Sequence, residues 1–119
     1  MKSKRFTDVV AWQESHALAL MVYRLTKHFP EDERFALSNQ LRRAATSTPS
    51  NIAEGFNRFS EKEKIHFYSI SLGSASEVHS QLMLAKDLDY LSVADYQDVE
   101  AQCETVHKLI SGLIRSIRS

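Results

Sequence analysis

The sequence predicts an all-α fold: an up-down-up-down antiparallel four-helix bundle. Three observations predict it. Apolar residues recur at three- and four-residue spacing through four long stretches. The 119 residues include only three glycines and two prolines, too few for the many turns of a strand-rich fold. The stretches are joined by short connections, which make successive helices antiparallel neighbours.

The first helix is expected from about Asp8 to His28. Ala11, Leu18, Met21, Val22, Leu25 and Phe29 share one face, Asp8 is the expected N-cap, and Pro30 ends the helix. The second is expected from about Asp32 to Phe59, with Leu37, Leu41, Ala44, Ala45, Thr48, Ile52 and Phe56 as its stripe. Pro49 lies inside it and predicts a kink or broken turn near Thr46 to Ser50. The third opens on Ser60-Glu61-Lys62-Glu63, a capping box with Ser60 as N-cap. Its seam reads Ile65, Tyr68, Leu72, Ala75, His79 and Leu82. The fourth follows Leu91-Ser92, with Tyr96, Val99, Cys103, Val106, Ile110, Leu113 and Ile117 in strict three-four spacing.

Residues 1–119 read as a single domain, long enough to bury a core without disulfides or metals. A single cysteine, Cys103, excludes an internal disulfide framework, and the cytoplasm is the expected compartment. No apolar run approaches the roughly 20 residues that span a bilayer, so no membrane is expected as a partner. The basic start is not followed by the uninterrupted apolar segment of a signal peptide. Formal charge is zero, which gives the whole chain no pull toward nucleic acid.

Two regions are crowded with small residues: Ala44 to Ser50 with Ala53 and Gly55, and Ser69 to Ser76. Glycine and serine are poor helix formers, so another reason must hold them there. Either these two helices pack closely, or the small residues make a flat docking surface.

Glu-x-x-His occurs twice, as Glu63 to His66 and Glu104 to His107, and di-iron bundles use such pairs. Glu14 and Glu54 could complete a set. Counting about 100° per residue, however, Glu63 and His66 lie roughly 150° from the centre of their seam and Glu104 roughly 130° from its own. Ligands facing solvent cannot meet in a core, so no metal site and no cofactor is expected. No catalytic triad and no phosphate-cradling glycine loop is present, and no enzyme activity is expected. Cys103 reads as a buried structural thiol. Asn51, Glu54 and His79 read as polar groups turned toward the core. Glu54 is expected to be partly buried and paired with another helix or with Arg43 of a neighbouring subunit.

Residues 1–59 hold nine Lys and Arg against six Asp and Glu, and the remainder reverses the balance. Arg42 and Arg43, with Lys2, Lys4 and Arg5, are the candidates for contact with RNA or a protein partner. Ile70, Leu84 and Leu88 lie nearly opposite the third helix's seam, with Phe67 and Val78 to one side. Val9, Leu20 and Tyr23 lie away from the seam of the first helix. A second apolar stripe exposes a patch to water, and such patches commonly mark partner surfaces. The expected partner is a second copy of the chain, with Ile70, Leu84 and Leu88 at the interface.

Three runs carry a family resemblance: Phe29-Pro30-Glu31-Asp32-Glu33-Arg34-Phe35-Ala36-Leu37, then Gln40-Leu41-Arg42-Arg43-Ala44-Ala45, then Asn51-Ile52-Ala53-Glu54-Gly55. Together with Val10-Ala11-Trp12 and Gly73-Ser74-Ala75-Ser76-Glu77, they resemble the four-helix-bundle proteins encoded within 23S ribosomal RNA intervening sequences. Two departures stand out. Thr48 replaces a usual aliphatic residue, and Val78-His79 replaces a common Leu-Glu. The resemblance implies a bacterial cytoplasmic protein of unassigned activity that assembles as a pentamer. It also implies a distant relation to the accessory proteins of diversity-generating retroelements, which bind reverse transcriptase and RNA through a basic pentamer. This chain is neutral. No catalytic residues transfer from the family.

Overall fold

The computed structural model describes residues 3–118. Four helices account for most of them: α1 (Val10–Thr26), α2 (Leu37–Phe56), α3 (Glu61–Asp87) and α4 (Val93–Arg118). Short 3-10 turns at Phe6–Asp8 and Glu31–Glu33 precede α1 and α2, and no strand occurs among the described residues. Each helix packs on the next, α4 closes back onto α1, and the backbones of the diagonal pairs stay apart across the shared core. That is the up-down-up-down bundle, 43 × 25 × 20 Å in extent.

The helix ends show which local signals governed them. Ser60 caps α3 as expected: the Glu63 backbone N–H donates to Ser60 Oγ at 3.1 Å. Ser92 does the same for α4, accepting from Asp95 N at 3.0 Å. The α3 C-terminus closes on Asp89, whose φ is 62°; Asp89 N donates to Lys86 O and Tyr90 N to Ala85 O, both at 2.9 Å. This is a Schellman closure with aspartate in the place glycine usually takes.

Two helix starts and one helix interior differ from the sequence reading. Asp8 does not cap α1. Its carboxylate accepts from the backbone of Lys4 and Arg5 and closes the preceding 3-10 turn, so Val9 becomes the N-cap. The second helix starts at Leu37, because the chain after Pro30 first makes its own 3-10 turn. The helix also continues through Pro49 instead of breaking. Side chains add bonds across that turn: Thr48 Oγ1 donates to Ala44 O at 3.0 Å and Asn51 Nδ2 to Ser47 O at 2.9 Å.

The core follows the predicted stripes of α1, α2 and α4, and Leu18, Leu41, Ile52 and Ile110 are fully buried in it. The α3 seam keeps Tyr68, Ala75 and Leu82 in the core as predicted, but its centre is turned from the predicted position. Ser71, Val78 and Ala85 are fully buried, whereas His79 is only half-buried and Ile65 and Leu72 pack at the margin. Val9, placed off the seam by periodicity, is also buried.

The small residues pack α2 against α3, the most extensive helix pair. Ser71 Oγ donates to Thr48 O at 2.7 Å, and the hydroxyls of Ser47 and Ser74 meet at 2.8 Å. Close backbone approach lets a short hydroxyl reach across the interface, so these residues satisfy one another where larger side chains would hold the helices apart.

Candidate functional site

The Glu-x-x-His pairs do not converge. Glu63, His66, Glu104 and His107 are all exposed, and no cluster of three or more His, Cys, Asp or Glu among the described residues could hold a metal ion.

The basic candidates are divided by the fold. Arg42 turns toward α1: its Nε donates to Thr26 Oγ1 at 2.8 Å, and its guanidinium lies 4.7 Å over the Tyr23 ring. Arg43 turns toward α3, into a polar crevice of about 380 Å³ that also holds Gln40, Ser47, Ser74 and Glu77. Adjacent helical residues point about 100° apart, so one pair in sequence serves two surfaces. Lys4 and Arg5 are exposed beside Asp8, and Lys2 lies outside the described residues.

The three polar candidates also separate. Asn51 is half-buried and donates to both Ser47 O and Ser47 Oγ. Glu54 is a correction: its side chain is exposed, and it accepts from Arg58 Nη2 at 3.2 Å, one turn along the same helix. It lies outside the core because the small residues that suggested burial face α3, while Glu54 points outward. An exposed pair at this spacing contributes about 0.2–0.5 kcal/mol, which replaces the larger cost expected of a buried carboxylate.

His79 has the richest surroundings. Its Nε2 donates to Glu100 Oε2 at 3.0 Å, and Tyr96 Oη donates to the same oxygen at 2.6 Å. Lys86 Nζ lies 4.8 Å over the Tyr96 ring. The His79 bond, then the Tyr96 bond, holds the Glu100 carboxyl below its ordinary value. Burial and the Glu100 bond push Tyr96 up to about 12.

The sign of the linkage follows. A carboxylate depressed in the folded state stabilises above its ordinary value of 4.5, and that stabilisation is lost as pH falls through the folded value. Glu100→Gln is therefore expected to flatten the acid-side fall in stability, read as the urea midpoint across the acid range. A profile unchanged by the substitution would show that the trio contributes nothing.

Cys103 lies in the neighbouring α3–α4 crevice with His79, Met83 and His107. Burial first, then the charges of Glu100 and Glu104, pushes its thiol up to about 12. A thiol raised in this way is a weak nucleophile at neutral pH, as expected of a buried structural cysteine.

The remaining conspicuous surface is apolar. On α3 and at its C-cap, Ile70, Leu84 and Leu88 are between 40% and 50% exposed, and Met83 joins them. Val78, grouped beside them by periodicity, is instead fully buried. Between α1 and α2 runs an open groove of about 520 Å³, where Leu20 and Tyr23 line the opening above Pro49 and Ala53. Trp12 and His16 stack there with ring centroids 4.9 Å apart, and Phe6 meets Trp12 edge-on. Sequence reasoning found Leu20 and Tyr23 but missed this aromatic end. The signal was Trp12 and His16 spaced one turn apart.

The family pattern covers almost all of this framework, with the 23S rRNA-intervening sequence protein family matching residues 7–112. The chain belongs to that family. A solved structure of an S23 ribosomal protein family member of unknown function, from Bacteroides thetaiotaomicron VPI-5482, is similar throughout. The two are 25% identical, with a TM-score of 0.82, over 89% of this chain and 96% of the other. No curated protein matches the chain. Within the family's expected pattern, Thr48 places a hydroxyl in the core but satisfies it on Ala44 O. The Val78-His79 departure buries the valine and frees the histidine to reach Glu100. Among the described residues, no helix of this family member is long and apolar enough to cross a membrane.

Proposed function

We propose that the protein is a non-enzymatic, self-associating interaction protein of the cytoplasm. One observation supports this reading: α3 and its C-cap present Ile70, Leu84 and Leu88 to water although the helix's core face is already filled by Val78, Leu82 and Ala85. A helix in an isolated bundle needs one apolar stripe, and the second is surface that association would bury. The α1–α2 groove, with Leu20 and Tyr23, is a second such surface. Five subunits is the number that the family resemblance implies.

The test is mass in solution, by light scattering coupled to size exclusion. The wild type is expected to run as an assembly, and Leu84→Glu with Leu88→Glu to run as a single chain of 13.6 kDa with its helical content kept. Both positions are half-exposed in the single bundle, so the charges cost the fold little. A single-chain mass for the wild type at micromolar concentration overturns the reading. A stable dimer overturns only the number five.

The RNA-binding alternative gains nothing from the geometry. A phosphate-binding surface needs several free cations on one face. Here Arg42 is engaged by Tyr23 and Thr26, and Arg43 shares its crevice with the carboxylate of Glu77.

A further inference from the structure

At one end of the bundle, the start of α1 meets the ends of α2 and α4 and the first turns of α3. There the helices leave an open cleft of about 900 Å³. Phe56, Leu113 and Ile117 give it an apolar wall, and Val9 and Val10 stand across from them. Three donors converge on it.

The first is Tyr68. The residue is 4% exposed and lines the cleft, yet its hydroxyl bonds to no group among the described residues. The ring is buried but the hydroxyl is not sealed from water, so a ligand acceptor in the cleft takes the place of water as its partner. Burial raises the phenol above its ordinary value, so it remains a donor at neutral pH. The second is Lys64. Its ammonium donates to Phe56 O at 2.7 Å and Gly55 O at 3.2 Å, and an ammonium has a third N–H to give. The third is the start of α1. Its N-cap is Val9, so no side chain accepts from the first-turn N–H groups of this 17-residue helix. Among the described residues Asp8 is the one carboxylate on the rim, and its charge is met by the backbone N–H groups of Lys4 and Arg5.

Donors and positive charge at one side of an apolar cleft call for an anionic head on an apolar body. We propose that the cleft binds a monocarboxylate with an apolar chain. Its head group accepts from Tyr68 Oη and Lys64 Nζ, and its chain lies on Phe56, Leu113 and Ile117. The site is separate from the surfaces assigned to self-association, and the two proposals stand or fall apart.

The probe is decanoate, kept below its micelle-forming concentration and titrated into isotope-labelled protein by NMR. Saturable shifts are expected at Val10, Lys64, Tyr68 and Ile117. Decanol, with the same chain and no charge, is expected to bind about tenfold more weakly, as is decanoate to Tyr68→Phe. That variant keeps the ring and its packing, and a thermal melt checks its fold. Absence of saturable shifts at those residues overturns the site. Equal affinity of decanol and decanoate in the wild type overturns the carboxylate head, and equal affinity of Tyr68→Phe overturns the role of the hydroxyl.

Discussion

Leu41→Ala is expected to cost about 3–5 kcal/mol, the range for deleting a buried leucine from a core that cannot collapse around the gap. Leu41 is fully buried on α2, within the same cluster as Leu18, Val22, Leu82 and Ile110. The matching control is Phe59→Ala. Phe59 lies in the connection between α2 and α3 and is fully exposed, so removing its larger ring is expected to change stability by no more than about 0.5 kcal/mol. Urea unfolding of both variants checks the pair. A Leu41→Ala loss below that of Phe59→Ala would mean that the bundle core is not packed as described.

Gly55→Ala is expected to destabilise by about 1–2 kcal/mol, although alanine is the better helix former by about 1 kcal/mol. Overpacking a tight site costs about 1–3 kcal/mol or more, and here it outweighs propensity. A methyl group at Gly55 would stand 2.7 Å and 2.9 Å from Tyr68 ring carbons and 3.2 Å from Phe67 Cβ. The Tyr68 ring is rigid and buried, so it cannot yield as a flexible chain end would. Two comparisons isolate the cause. In a Tyr68→Leu background the same change should become neutral or favourable, a coupling that a double-mutant cycle measures. Gly73→Ala should stabilise the chain by about 1 kcal/mol, because nothing lies within 4 Å of a methyl group there. If Gly55→Ala is as stable as Gly73→Ala, the close approach of α2 and α3 at this point is refuted.

Glycine in a helix is ambiguous from sequence, and these two show why. Both lie in small-residue stretches and both weaken their helices, yet only Gly55 has a neighbour that requires it. The same limit applied to the polar residues. Glu54 and Ser71 both lie among small neighbours, but Glu54 points to water and Ser71 to the backbone of Thr48. A rotation of tens of degrees about a helix axis separates the two outcomes. Periodicity along a sparse stripe does not resolve such a rotation where hydroxyls and alanines fill core positions. For α3 it set His79 on the seam and Val78 beside it, and the structure reverses the two.

The sequence by itself determined the number of helices, their order, the apolar faces of α1, α2 and α4, and the cap at Ser60. Those follow from local signals: spacing at 3.6 residues, a hydroxyl at a helix start, and few turn formers. It also carried the family, through runs of residues that the fold holds along α2 and α3. Only the tertiary structure decided the partners. The division of Arg42 from Arg43, the bond from His79 to Glu100 across α3 and α4, the Trp12–His16 stack over Pro49, and the unpartnered Tyr68 hydroxyl beside Lys64 depend on how far each helix is turned toward its neighbours. That turn is set by close packing summed over a whole interface, a long-range quantity that no short stretch of sequence encodes.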